Sequence, residues 1–588
     1  MQLYASPEDN AQFFIRGVAS FGTGKVDPLI LVDNVEMTAD DLSRLHPDDI
    51  ASFSILKDAT ATALYGARAA NGVVLVTTKE GKEGKIKVSV RMENSFSSPT
   101  KEVEMADPIT YMRMANEAVK TRDPLAEEYY SQEKIENTVL GTNPMVYPAT
   151  DWMKMLFKDV AVNQKANLNI SGGGKVAQYY IAGSFAQDNG ILKVDKRNNF
   201  NNNIDLKKYL IRSNITLNLT NTTRAKIRVH GTFQDYIGPI PGGSTLYKSV
   251  LKVNPVRFPA YYEPDEMFQR EEHILFGNQN GDFLNPYAEM VRGYRESSSS
   301  VMLAQFELEQ DFSKWFKGLT GRILASTTRS SSFDVSRSYK PFYYQIASYN
   351  RLTDVYFLNE INTDSGTEYL SYNPESKVIN TVTYGEASLA YNRTFDKHDL
   401  SGMLVMIARN EQTANAETLM ESLPERNMGM SGRFTYAYGG KYLGEFNFGY
   451  NGSEKFDRGH RWGFFPSVGL GWQVSNESFW QGNLKSVIPK LKIKGTYGKV
   501  GNDGIGEDRF FYLSDVEIGE GRSFNTGYEF GKTKKGVKIN SYANSEITWE
   551  IAYKTNLGLF DLWDVEMGGK GLGYPLQRVF NLGVNVSF

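Results

Sequence analysis

The sequence predicts a mainly β chain: a transmembrane antiparallel β-barrel that follows a small N-terminal α/β unit. Three observations predict it. From about residue 163 the hydrophobic period changes from 3.6 to 2 and stays there. The alternating runs are joined either by short turns or by long polar stretches rich in Asn, Gly, Ser and Tyr, such as 235–298 and 333–380. Short turns at one rim and long loops at the other are a barrel's signature. Finally, the last strand puts Phe580, Leu582, Val584, Val586 and Phe588 on one face and Asn581, Gly583, Asn585 and Ser587 on the other. Outer-membrane barrels usually finish on such a strand with a terminal aromatic.

Composition narrows the alternatives. The 588 residues carry 65 basic and 68 acidic side chains, a net charge of −3, which excludes a polycation built for nucleic acid. Hydrophobic residues at 41% and charged residues at 23% exclude a disordered chain. With no cysteine, disulfide scaffolds, thiolate-held metals and Cys nucleophiles are excluded. No apolar run reaches the ~18 residues of a membrane helix. A membrane barrel survives that test, because its strands average out as polar. A soluble sandwich would need about seven strands per hundred residues, and this chain is sparser. The start, MQLYASPEDN, lacks the basic and apolar regions of a secretory leader, so either the chain is cytosolic or its true N-terminus is missing, and the other features favour the second.

Residues 1–100 read as the α/β unit. FFIRGV (13–18), PLILVDN (28–34), FSILK (53–57) and VVLVTT (73–78) are short strand-like runs, and IKVSVRM (86–92) alternates after them. Ala39 to Leu45 and Pro47 to Ser52 read as helical turns, with Pro47 at a first helical position. Asp58 is placed to cap ATATALY, and Gly66 to stop it. Residues 101–162 read as helical. Asp107-Pro108 caps ITYMRMANEAVK, Ser131 opens QEKIENTVL, and Thr150 or Asp151 opens WMKMLF. From 163 to 588 the chain alternates. Ile215, Leu217 and Leu219 oppose Asn214, Thr216, Asn218 and Thr220; after Asn221-Thr222-Thr223, Ile227, Val229, Gly231 and Phe233 oppose Arg228, His230, Thr232 and Gln234. Roughly fourteen such strands have the length of a tilted membrane crossing.

These residues resemble one family. Ile15-Arg16-Gly17, PLILVDN (28–34), Pro47 to Ile50 and LKDATATALYGARAANGVVLVTTKEG (56–81), with Lys57, Asp58, Tyr65, Gly66, Asn71 and Gly72, are similar to the plug signature of the SusC/RagA family of TonB-dependent outer-membrane transporters. LNISGGG (168–174), GRFTYAYGGKYLGEFNFGYNGSEKF (432–456), RWGFFPSVGLGWQVSNESFW (461–480), LKIKGTYGKVGND (491–503), TWE (548–550), TNLGL (555–559) and YPLQRVFNLGVNVSF (574–588) are similar to its barrel segments. The resemblance implies a plug domain at 1–100 in the lumen, a helical linker between plug and barrel at 101–162, and an outer-membrane barrel at 163–588. It implies import of a large nutrient, an oligosaccharide or less often a peptide. The implied partners are a SusD-like surface lipoprotein acting as a lid, the TonB–ExbB–ExbD energy-transducing complex, and outer-membrane lipid. Three departures stand out. The Gly expected after Val-Asp is Asn34, which tolerates the left-handed turn. By the resemblance, the chain is expected to begin inside the plug, with the leader and a TonB-contacting segment missing from it. It is also shortened near residue 560. A lumen that holds a plug takes about 22 strands, so an incomplete wall with unpaired edges is expected.

The candidate sites are weighed against plainer readings. Ser20 to Lys25 fails the phosphate-loop pattern at Ala19 and Val26, and Ser171 to Lys175 reads as a hairpin turn. The five histidines (46, 230, 273, 398, 460) form no metal-ligand spacing, so no metal is expected. Asn502-Asp503-Gly504 and Asn278 to Asp282 read as turns before calcium sites. No catalytic order and no cofactor motif is visible, so an enzyme is not expected and no cofactor is assigned. Tyr339, Phe342, Tyr343, Tyr344 and Tyr349 are the candidates for substrate contact in an outer loop. Arg16 and Asp33 are charges at apolar strand ends, expected to pair with each other or with the barrel wall, as a structural salt bridge or as a trigger that moves when the plug is pulled. The alternative readings are a passive porin or adhesion barrel, a degenerate non-energised transporter, and a soluble carbohydrate-binding or enzymatic β-protein.

Overall fold

A computed structural model of the chain describes residues 28–56, 73–99, 103–198, 200–416, 418–481, 488, 490–505, 509–524, 533–558 and 577–587. Four short strands come first: β1 (Leu29–Val32), β2 (Val35–Met37), β3 (Ile50–Leu56) and β4 (Val73–Thr78). They form one sheet in the order β2-β1-β4-β3, with β1 parallel to β4. All four residues of β1 are buried, as its unbroken apolar run LILV requires. The β1–β2 turn is tight, and Asp33 and Asn34 both adopt left-handed backbone, at φ 49° and 70°. Asn and Asp are the non-glycine residues that tolerate it.

The rest of the chain builds a wall. Its first strands are β5 (Gly84–Pro99), β6 (Ala161–Gly173), β7 (Ala177–Asn189), β8 (Asp205–Asn218) and β9 (Thr223–Pro239). The loop after β9 carries the two-residue β10 (Phe276–Gly277). The wall resumes with β11 (Gly293–Asp311) and β12 (Leu319–Ser338), and the next loop holds β13 (Tyr343–Asn350) and β14 (Val355–Glu360). Next come β15 (Ser371–Phe395), β16 (His398–Thr413), β17 (Glu425–Tyr438), β18 (Tyr442–Ser453), β19 (Trp462–Trp472) and β20 (Ile493–Asn502). A loop hairpin, β21 (Asp515–Phe524) with β22 (Lys534–Ser541), precedes β23 (Glu550–Gly558) and β24 (Gln577–Ser587). Fifteen strands share one sheet, which runs from β23 through β20 and back along the chain to β5, then to β24. Among the described residues the end strands β23 and β24 do not pair with each other, so the wall is not closed.

The wall is apolar outside and polar inside. On β8, Arg212, Asn214 and Thr216 are buried while Ile211 is exposed; on β9, Arg228, His230 and Thr232 are buried while Ile227, Val229 and Phe233 are exposed. Buried polar and exposed apolar residues invert the pattern of a water-soluble sheet and match one that faces lipid. Strand neighbours meet at tight turns at one rim, such as 219–222 between β8 and β9 and 396–397 between β15 and β16. The opposite rim carries the long connections, including 240–292 after β9 and 339–370 after β12.

The structure corrects one boundary. IKVSVRM lies in β5, which pairs with β6 and β24 and so belongs to the wall, not to the N-terminal unit. Its alternation is the wall's own, with Ser95 and Ser97 buried opposite exposed Met92 and Phe96. The helical stretch therefore does not link the N-terminal sheet to the wall. It is the long connection between the wall's first two strands. Its helices, Pro108–Arg122, Gln132–Leu140 and Trp152–Leu156, start where expected. Asp107 accepts from the amides of Ile109 and Thr110, Ser131 from Lys134, and Asp151 from Lys154.

The long loops also fold more than their polar composition indicates. Trp152, Leu156 and Phe157 pack with Leu246, Tyr247, Phe258, Phe276 and Tyr287 in one buried cluster. Met112, Tyr130, Ile135 and Val256 form another.

Candidate functional site

The N-terminal sheet lies against the inner faces of β8, β9 and β11, and that contact is the candidate functional site. A small apolar patch joins them. Leu210 of β8 and Leu303 of β11 enter the cluster of Ile30, Val32, Val35, Met37, Val74 and Val76. Around the patch the contact is polar. The period-2 pleat makes this possible, because alternate residues of each wall strand face inward.

Asp33 is the centre. Its Oδ1 accepts from the Thr78 amide at 2.9 Å and its Oδ2 from the Thr78 hydroxyl at 2.6 Å, which fixes the carboxylate at the end of β4. Arg212 Nη1 stands 3.6 Å from Oδ2, and Gln305 Nε2 donates to the Asp33 carbonyl at 3.1 Å. Arg212, almost fully buried, also donates through Nη2 to His230 Nδ1 at 3.1 Å. Beside it, Asn214 Nδ2 donates to the Thr78 hydroxyl at 2.9 Å and to the Lys79 carbonyl at 2.8 Å. Arg228 bridges the two parts, reaching Glu80 at 2.5 Å and Glu307 of β11 at 2.9 Å. Lys226 Nζ lies 3.4 Å from Glu80 and 3.6 Å from Glu307.

A second row follows the helical turns of the N-terminal unit. Tyr180 of β7 donates to Asp49 at 2.6 Å, Arg91 of β5 to Asp48 at 3.2 Å, and Arg44 to Ser299 of β11 at 3.3 Å. Arg409 of β16 stands 3.4 Å from Glu36. His46 caps the 3-10 turn Pro47–Asp49, its Nδ1 accepting from the Asp48 amide at 3.2 Å. Burial holds its imidazole below the usual range, although Asp48 and Asp49 pull the other way.

This arrangement holds a small domain inside a wall through directed charges and hydrogen bonds. Buried ion pairs add little net stability over apolar packing, because desolvation offsets their attraction. They do fix one orientation, and each leaves groups that water can re-solvate when the parts separate.

The structure brings together some of the expected residues. Asp33 pairs with the wall's Arg212. Ile15, Arg16, Gly17, Lys57, Asp58, Tyr65, Gly66, Asn71, Gly72 and Phe588 lie outside the described residues. The backbone of Phe580, Leu582, Val584 and Val586 runs in β24, paired with β5. The aromatic candidates sit in the loop cores. Tyr339 and Tyr343 pack against the cluster of Phe258 and Tyr287. Tyr344 is wholly buried, with Phe342 against its cluster, so its ring is closed to a ligand. Burial raises the Tyr343 hydroxyl to about 12. Tyr349 is at the loop tip, its ring edge-on to Tyr147 and its hydroxyl donating to Asp354 at 2.8 Å.

Sequence reasoning missed Arg212, Asn214, Arg228 and Glu307 as site residues. Their signal was a charged or amide side chain at alternate positions of a lipid-facing strand, where charge is expensive unless it faces a partner inside.

The comparisons with known proteins agree with this geometry. Residues 3–73 match the TonB-dependent Receptor Plug Domain family. The TonB-dependent receptor SusC of Bacteroides thetaiotaomicron is 26% identical over 94% of this chain and 53% of its own length. The TonB-dependent receptor P39 of Formosa agariphila is 25% identical over 94% of this chain and 49% of its own. This chain thus spans about half the length of the curated relatives it matches. Among solved structures, the RagAB peptide importer in its open-open state superposes with a TM-score of 0.68 at 18% identity, over 95% of this chain and 61% of that one. That likeness is one of fold.

Proposed function

We propose that this chain, which belongs to the SusC/RagA family of TonB-dependent receptors, serves TonB-dependent import of a large nutrient across the outer membrane. The substrate class is oligosaccharide. A SusD-like lipoprotein covers the long-loop rim, and the TonB–ExbB–ExbD complex supplies the work that shifts the plug. The observation that carries the reading is the set of ion pairs and amide contacts through which the N-terminal unit meets the inner face of β8 and β9: Asp33 to Arg212, Glu80 to Arg228 and Thr78 to Asn214. Such a contact blocks the lumen at rest and can be re-solvated when pulled apart. The proteins it resembles are receptors and transporters, not enzymes.

A reversible lock tests the mechanism. The chain has no cysteine, so Thr78→Cys with Asn214→Cys introduces a single cross-link between plug and wall. Uptake of labelled oligosaccharide by cells carrying the locked protein is expected to stop, and to return on reduction. Uptake that continues with the bond intact overturns plug displacement and favours a passive barrel. Uptake of a peptide pool, but not of oligosaccharides, by the reduced form overturns the substrate class alone.

A further inference from the structure

Two loop segments that are distant in sequence bring three metal-binding side chains together at the long-loop rim. Glu271 and His273 come from the connection between β9 and β11, and Glu368 from the connection between β14 and β15. One ligand atom of each lies within 4.8 Å of the other two. Nδ1 of His273 makes a long hydrogen bond of 3.3 Å with a Glu368 oxygen and stands 3.7 Å from a Glu271 oxygen. Both separations exceed the about 2.7–2.9 Å of a charge-assisted hydrogen bond. They bracket the ligand-to-ligand edge, about 3.4 Å, of a tetrahedron with bonds near 2.1 Å to its centre, the bond length of zinc to His nitrogen and carboxylate oxygen.

The histidine is already oriented for this role. Its other nitrogen, Nε2, lies 2.8 Å from the hydroxyl of the wholly buried Tyr344. Its ring stacks on Phe342, with centroids 4.4 Å apart. A partner on the far nitrogen and a packed ring are how metal-bound imidazoles are held in one tautomer and one direction. Two further acidic groups, Glu360 and Asp364, lie close by. Burial raises the Glu360 carboxyl, with Glu271 and Asp364 adding to the rise and His273 opposing it.

We propose that Glu271, His273 and Glu368 form a divalent-metal site of the zinc class, which clips the two loops together and leaves a fourth position for water or an incoming ligand. One imidazole with two carboxylates favours zinc and its transition-metal neighbours over calcium, which takes 6–8 oxygens. The site does not depend on the transport reading.

The test uses the whole chain in detergent, titrated with Zn²⁺ against a chromophoric chelator. One zinc per chain is expected, and a hundredfold excess of Ca²⁺ should not displace it. Glu368→Gln, on an exposed side chain whose replacement leaves the fold intact, is expected to weaken binding by at least the order of 10–100-fold that follows loss of an outer partner. His273→Gln should do the same. Zinc should also slow proteolysis within 362–370 in the parent chain but not in Glu368→Gln. Unchanged affinity in both variants, or no saturable binding, overturns the site. Displacement by calcium at equal concentration overturns the metal class.

Discussion

The lumen contact and the loop cores are built from opposite materials. At the lumen, Asp33, Asn214, Arg228 and Glu307 meet across a contact with only a small apolar patch. At the long-loop rim, Trp152, Phe258, Phe276 and Tyr287 pack in one apolar cluster, with Trp152 edge-on to Phe258 at 6.3 Å and 71° and Phe276 tilted against Tyr287 at 5.8 Å. Apolar burial is non-directional and strong in proportion to area. Ion pairs are directional, and their loss is partly repaid by water. The difference teaches which parts of the molecule are built to stay together and which are built to come apart.

The comparison can be broken first at the loop core. Phe258→Ala is expected to cost about 3–5 kcal/mol, read as a fall in the midpoint of loop unfolding by limited proteolysis, with the N-terminal sheet still protected. If that sheet is released at the same midpoint, the two regions are one cooperative unit. Next comes the lumen. Arg228→Ala leaves the buried Glu307 with the more distant Lys226 and Gln305, at 3.6 and 3.5 Å. The expected cost is towards the lower end of about 3–5 kcal/mol, whereas Arg228→Met with Glu307→Leu should be close to neutral. Protease access to the N-terminal sheet measures both, and equal costs for the single and double variants would contradict the ion-pair account.

A smaller effect sharpens the loop side. Ser131→Ala removes the side-chain acceptor for the Lys134 amide and should cost about 1 kcal/mol, seen as local loss of amide protection in Gln132–Leu140 alone. The smallest effect is a pH slope at the lumen. Burial depresses the His46 pKa in the folded state, while Asp48, Asp49 and Glu93 raise it and Arg91 lowers it. The unfolded chain therefore binds a proton more readily, and the native contact weakens as pH falls below about 6.5. His46→Gln should flatten that part of the pH profile of proteolytic protection, and an unchanged profile assigns the slope elsewhere.

Much of the wall was legible because lipid and lumen impose opposite demands on alternate residues. Ile227, Val229 and Phe233 against Arg228, His230 and Thr232 declare a strand without any contact information. β5 was assigned to the N-terminal unit because residues 79–83 are all that separate it from β4. Only its pairing with β6 and β24 reveals its membership. The aromatic candidates were visible as aromatics, but a sequence does not distinguish a ring packed under a loop, as Tyr344 is, from one turned to a ligand. The cluster of His273 with Glu368 was illegible because its members lie 95 residues apart and no local spacing announces them.

The short 79–83 connection has a mechanical meaning. The N-terminal sheet is moored by β4 to β5. β5 is also the strand whose far edge carries β24, Gln577 opposite Pro99 through Ser587 opposite Ser89. Tension applied to the sheet from β1 therefore runs along β4 into a strand clamped on both edges. That ladder is loaded in shear, with many hydrogen bonds sharing the force, while the contact between the sheet and the wall can part a few bonds at a time. The sheet can thus come loose from the lumen while its anchor stays in the wall, and the same tether guides it back.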